Sequence, residues 1–392
     1  MTIVAAAWVK SCGCAFTMRN FRLRMSAIGA CRLPFSGHGD SMPGSSQGQA
    51  AGELPSQRHP KSALSVYQAC AIVPVPVAVI RFPSLSTPGK GTKRRPHPSY
   101  IYHPLPRTPE RSRLEMPMDR ESILAEFSRI TSVEDNDIDV AAAAFLIAAV
   151  EYPQIDIPYQ MDFLNAIAKG AAAKFTPERE PLYCVNMLSE YLFDELKFLG
   201  NKDDYYDPRN SFLNEVLSRR LGIPISLSLV YIEVGRRLGF PLVGVGLPGH
   251  FVVKHMAVDI LYIDPFHGGI LRSKEECVEQ IRGLANTAIQ IDPRHFTPVS
   301  NREFIARMLR NLKATYLEKE DHKRALKVMD FLLALHPKAP RELRDRGLVY
   351  YQLGSYSEAL ADLTGYVTSG AIGEDGQAVQ EIMGKIRRHL GT

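Results

Sequence analysis

Residues 210–227 read N-S-F-L-N-E-V-L-S-R-R-L-G-I-P-I-S-L, and the reading of this string decides the fold. It opens just after a turn of composition D-P-R-N from Asp207, and the apolar-polar run that follows predicts a short helix ending at Gly222. From Gly222 the chain continues as G-I-P-I-S-L-S-L-V-Y-I-E-V-G-R-R-L-G-F-P, in which Ser226 or its neighbour begins a second helix stopped by Gly239 and Pro241. Two strand-like runs come next. Residues 242–253 contain the punctuation P-G-H at Pro248, Gly249 and His250, and residues 260–264 lead into the turn-forming string P-F-H-G-G. A helix, a helix and then strands, with polar residues at the junctions, predicts an α/β core over 206–300.

Upstream of this core the pattern is helical. Ile123, Leu124, Phe127 and Ile130 recur at three- and four-residue steps. Asp137 is placed to cap a helix running through 141–150, which Pro153 ends. Residues 161–169 predict a further helix, and Leu182, Val185, Leu188, Leu192, Leu196 and Leu199 trace the apolar face of another, closed near Gly200. Residues 117–205 are therefore expected to form a helical region whose side chains serve packing.

Downstream lies a repeat. Asn311, Tyr316, Ala325, Leu326 and Pro337 belong to one copy, and Gly347, Tyr350, Gly354, Tyr356, Ala359 and Leu360 to the next. Ala325 and Ala359 are 34 residues apart, as are Tyr316 and Tyr350, and that interval is the length of a tetratricopeptide repeat. The tryptophan of that pattern is missing, and Lys313 stands in the first copy where the second has Gly347. Two such repeats each need a neighbour to cover an apolar face, so residues 301–392 are expected to pack on the preceding part of the chain.

The first segment differs in kind. Up to Leu114 the acids are Asp40, Glu53 and Glu110 against fifteen Lys and Arg, so it carries +12 of the chain's formal +5 and leaves −7 on the remainder. Residues 1–116, rich in Ser, Pro, Gly and Arg, are read as a disordered tail, an organelle-targeting peptide or sequence translated ahead of the true start. The last reading is preferred because Met116 or Met118 opens directly onto well-patterned sequence. The apolar stretch 71–80 is broken by Pro74 and Pro76. An acidic body offers no basic face to nucleic acid. No stretch reaches the ~20 apolar residues of a membrane span. Cys184 and Cys277 alone fall in the body, which suits a reducing cytoplasm and no disulfide framework.

The strings 210–227, 247–254 (L-P-G-H-F-V-V-K) and 262–269 (Y-I-D-P-F-H-G-G) resemble the core of the SirB-type transglutaminase-like family with C-terminal tetratricopeptide repeats. The resemblance runs from about Met118 to the C-terminus. It implies an α+β chain with a helical N-terminal region, a papain/transglutaminase-like α/β core and C-terminal repeat helices. In that core a nucleophile at a helix start meets a histidine and then an aspartate on neighbouring strands, and the positions here are Ser226, His250 and Asp264. Active relatives have cysteine where this chain has Ser226, with Ser228 close by.

A thiol at a helix N-terminus beside an imidazolium ionises, because the dipole and the cation both favour the anion. A serine instead depends on His250 as base, on Asp264 to orient the ring and on an oxyanion hole. Ser226 reads as a helix cap in preference to a nucleophile, and Asp264 before Pro265 reads also as the start of a turn. Asn210 and Asn214 are candidate cleft supports. His255, His267 and Asp259 lack the spacing of a metal-ligand motif, so no metal and no cofactor is expected. The resulting expectation is a non-catalytic or weakly catalytic module that binds a protein or peptide partner through its cleft and repeats. The alternative is an acyl-transfer enzyme acting through the Ser-His-Asp set.

Overall fold

The computed structural model describes residues 118–391 apart from 177–179, 259–260, 285–290, 371–372 and 374. The readings of residues 1–116 and of Asp259 lie outside the described residues. Four helices open the described chain: α1 (Arg120–Thr131), α2 (Val140–Ala149), α3 (Ile157–Ala172) and α4 (Pro181–Ser189), the last continuing as a π-helical turn, Glu190–Glu195. Each begins on an acidic side chain that accepts a backbone N–H of the first turn: Asp119 from Ser122, Asp139 from Ala142, Asp156 from Tyr159 and Glu180 from Tyr183. The cap of α2 is thus Asp139. Asp137, expected in that role, sits in the short 3₁₀ turn before it. Nine of the ten residues of α2 are apolar and buried, so this helix is core on all sides.

The two-residue strand β1 (Leu199–Gly200) pairs in parallel with β2 (Leu221–Gly222), which follows α5 (Leu213–Arg219). The stop of α5 falls at Arg220, at φ +58, two residues before the expected Gly222, because Leu221 and Gly222 are drawn into the β1 pairing. The helix α6 (Pro224–Arg237) then starts with a proline in its first position, where the missing N–H costs nothing.

The strands β3 (Leu242–Leu247), β4 (His250–His255), β5 (Tyr262–Asp264) and β6 (Ile270–Arg272) form one antiparallel sheet in that order. The run 242–253, read from the sequence as strand-like and punctuated by P-G-H, is a hairpin. Leu247 pairs with His250 across a two-residue turn of Pro248 and Gly249, whose φ of +68 is a glycine conformation. Period-two alternation divides the sheet's faces. Phe251, Val253 and Ile263 join the large core with α6, while Val245, Leu247, Val252 and Tyr262 meet Cys277 and Ile281 of α7 (Lys274–Leu284) together with Phe296.

Five helices complete the chain: α8 (Asn301–Glu318), α9 (His322–Leu335), α10 (Pro340–Gln352), α11 (Tyr356–Thr368) and α12 (Gly376–Leu390). They pack as consecutive hairpins, α8 on α9 and α10 on α11, with α12 against α11. The first hairpin shares its core with the N-terminal helices: Phe304, Leu309, Met329 and Phe331 lie in one cluster with Phe127 and Phe145, and the Phe127 and Phe331 rings meet edge to face at 4.8 Å. Asp135 fastens the same junction by accepting the backbone N–H groups of Asn301 and Arg302 at 2.8 and 2.9 Å.

At the repeat positions Tyr316, Ala325 and Ala359 are buried. Tyr350 is half-buried, with the Arg346 guanidinium 5.8 Å from its ring centre. The Lys313 and Gly347 pair, equivalent by the 34-residue period, solve different problems. A β-carbon on Gly347 would lie 2.8 Å from the Leu363 side chain, so that side chain of α11 packs directly on the bare backbone of α10 there. Lys313 reaches forward instead, bonding Glu342 at 2.5 Å and Asp345 at 2.8 Å on α10 and coupling one hairpin to the next.

Candidate functional site

His250 and Asp264 come together where β4 begins and β5 ends. His250 Nε2 lies 3.0 Å from Asp264 Oδ2, with the histidine side chain 3% exposed and the aspartate fully buried. That carboxylate oxygen is crowded. His267 Nδ1 stands 2.8 Å from it, Arg272 donates through Nε at 3.0 Å, and the Gln280 amide donates at 3.4 Å. Asp264 also begins the 3₁₀ turn Pro265–His267, accepting the His267 N–H at 3.3 Å, and this turn is what brings the second imidazole back over the carboxylate. Burial by itself would raise the pKa of Asp264, but the His250 and His267 imidazoles beside its carboxylate hold it far below the usual carboxylate range. The group is a firmly ionised anion.

His250 is positioned from the repeat side. Arg307 of α8, itself half-buried, donates through one nitrogen to the carbonyls of Leu247 and His250, the latter at 2.9 Å, and so clasps both ends of the Pro-Gly turn. Gly246 makes room for this: a β-carbon there would come within 2.6 Å of the guanidinium. Phe266 stands edge-on to the His250 ring, and Tyr205 edge-on to Phe266, so aromatic side chains flank the imidazole.

Ser226 lies in the third position of α6 rather than at its cap, and its side chain is fully buried. Its hydroxyl donates to the Asn210 carbonyl at 2.6 Å and accepts the Ile223 N–H at 3.0 Å. The second bond is the reciprocal half of a capping box, closing the first turn onto the residue before it. Among the described residues no hydrogen bond joins Ser226 to His250. The neighbouring Ser228 hydroxyl is buried without a partner. Asn210 is fully buried and does four things at once: its side chain accepts from Asn201, donates to the carbonyls of Asp204 and Tyr205, and its own carbonyl takes the Ser226 hydroxyl. It ties the 201–205 loop to the start of α6. Asn214 carries a buried side-chain oxygen with no partner. Both described cysteines are buried and outside any disulfide, and burial pushes the Cys277 thiol up to about 12.

Sequence reasoning did not place Arg272, Gln280 or Arg307 at this site. His267 was weighed only with His255 and Asp259. In the structure His255 is remote in role, its ring accepting the Ala257 N–H, whereas His267 faces Asp264. The available signal was its offset of three from Asp264, which a 3₁₀ turn converts into adjacency.

Comparison with known proteins gives two family matches. Residues 161–310 match the transglutaminase-like superfamily, and residues 312–387 match the tetratricopeptide repeat. A UPF0162 protein of Xylella fastidiosa is 39% identical over 256 residues, covering 64% of this chain and 90% of that protein. A UPF0162 protein of Vibrio cholerae is 31% identical over 234 residues, covering 58% and 86%. The F-box only protein 21 of Homo sapiens is 31% identical over 186 residues, 44% of this chain and 29% of that protein.

Proposed function

Since the chain belongs to the UPF0162 family, transglutaminase-like proteins with tetratricopeptide repeats, we propose that it is a protein-binding module whose transglutaminase-like core does not perform acyl transfer. The observation that carries this reading is the state of the Ser226 hydroxyl. It is buried and engaged in two bonds that hold the start of α6, so a nucleophilic role would require it to abandon Asn210 and Ile223. Leaving that carbonyl and that N–H unpaired in the interior costs about 1–3 kcal/mol for each group, which is added to any reaction barrier. Among the described residues the two thiols, Cys184 and Cys277, are both buried.

In this reading the adjacent His250 and Asp264 side chains are retained as structural groups that shape the cleft, and Asn210 and Asn214 support its wall. The repeat helices 301–392 supply the surface for a protein or peptide partner, as repeats of this class do. The two described cysteines, buried thiols outside any disulfide, support a reducing, cytoplasmic setting. Among the described residues no helix is long and apolar enough to cross a membrane.

The retained His250 and Asp264 pair favours the acyl-transfer alternative, and one variant separates the two. In Ser226→Cys, a site assembled for catalysis yields a thiolate that iodoacetamide labels at neutral pH and that loses its reactivity when His250→Ala is added. A binding module yields a buried thiol that labels only on unfolding. Rapid, His250-dependent labelling of the native variant overturns the proposal.

A further inference from the structure

We infer that His250, Asp264 and His267 form a binding site for a borderline divalent transition-metal ion of the zinc or cobalt kind. One donor atom from each of these residues lies within 4.8 Å of the other two. The carboxylate oxygen stands 3.0 Å from His250 Nε2 and 2.8 Å from His267 Nδ1. Ligands held about 2.0–2.1 Å from a tetrahedral ion are about 3.3 Å apart; the two carboxylate–imidazole separations fall a few tenths of an ångström short of this, and the two imidazole nitrogens stand within 4.8 Å of each other, so the set closes on such an ion by side-chain rotation. Two imidazoles and one carboxylate are a donor set of intermediate softness, suited to zinc, cobalt or iron(II) more than to calcium or magnesium.

Two orphaned atoms point to the same place. His250 Nε2 is buried and has no hydrogen-bond partner, although Asp264 Oδ2 lies 3.0 Å away. Gln280, whose amide nitrogen touches that carboxylate, has its side-chain oxygen buried without a donor. A buried acceptor or ring nitrogen left alone costs free energy that a cation at this spot recovers. His267 is 28% exposed, so its side of the cluster is open for the ion's entry and for a water as a further ligand. Arg272 also holds Asp264 Oδ2. Its charge opposes a second cation, and the affinity is therefore expected to fall short of that of structural zinc sites. This inference is independent of whether Ser226 is a nucleophile.

Cobalt(II) titration of the metal-stripped full chain tests it, because ligand type is read from the spectrum. Wild-type protein is expected to saturate with visible d–d absorption, and zinc is expected to displace it and raise the melting temperature. In His267→Ala, chosen because that side chain is partly exposed and its loss spares the core, affinity should fall by at least about tenfold and the zinc-induced shift should vanish. Cysteines such as Cys12 and Cys14 are separated by their near-ultraviolet thiolate charge-transfer band. Absence of a saturable d–d band overturns the inference. So does a band that survives unchanged in His267→Ala.

Discussion

Replacing Ser226 with alanine removes one oxygen that serves two backbone groups, and the size of the loss follows from their surroundings. The Ile223 N–H, 3.0 Å away, and the Asn210 carbonyl, 2.6 Å away, both lose this partner at a position from which water is excluded. Net contributions of about 0.5–1.5 kcal/mol per bond, or about 0.5–2 kcal/mol for a helix-start side chain taken whole, put the cost near 2 kcal/mol. For a unit of this size that corresponds to a fall of roughly 4–8 °C in melting temperature. Ser228 supplies the internal control. Its hydroxyl is equally buried but has no partner, so Ser228→Ala removes an unsatisfied group and should be neutral or stabilising. Scanning calorimetry of the two variants beside wild type makes the comparison. The reasoning fails if Ser226→Ala is thermally silent, or if Ser228→Ala costs as much.

Three further outcomes are expected. Arg307→Ala leaves the Leu247 and His250 carbonyls without their donor and should destabilise by about 2–3 kcal/mol, with faster amide exchange across the 247–250 turn; an unchanged exchange pattern would refute the clasp. Asp135, whose carboxyl burial would raise but whose bonds from Arg302 and Asn301 lower on balance, stabilises the fold fully above its unfolded value of 3.8. That contribution disappears as pH falls through the lower folded value, so urea midpoints of wild type and Asp135→Ala should differ at pH 6 and converge in strong acid. Ala359→Arg forces a cation among Leu363, Tyr366 and Met383 and should cost about 4 kcal/mol or more, melting the second repeat ahead of the rest.

The parts of this molecule that were readable from sequence are those encoded by short-range pattern. The 34-residue interval depends on equivalent packing sites in neighbouring helix pairs, and Ala325 and Ala359 are both fully buried. The P-G-H and I-D-P strings mark where a strand begins and where another ends, and the sheet register brings those two ends together. What the sequence hid is set by contacts between distant positions. The Ser226 hydroxyl finds its acceptor sixteen residues upstream, and the Arg307 clasp spans 57 residues to His250. The helix boundary at Arg220 shifted because β1 competes for Leu221 and Gly222, a tertiary demand that local propensity does not contain. His267 was visible but misgrouped, because motif spacing for metal ligands assumes helices, whereas this cluster is assembled from two strand ends and a 3₁₀ turn.

The central claim, that the Ser226 position holds the fold and does not attack substrates, is tested most directly by incubating the native full chain with a serine-directed fluorophosphonate and mapping any adduct by peptide mass. The account predicts no modification of Ser226 in the folded protein, with wild type and His250→Ala indistinguishable. Stoichiometric phosphonylation of Ser226 that disappears in His250→Ala would contradict it and establish a working serine nucleophile in this core.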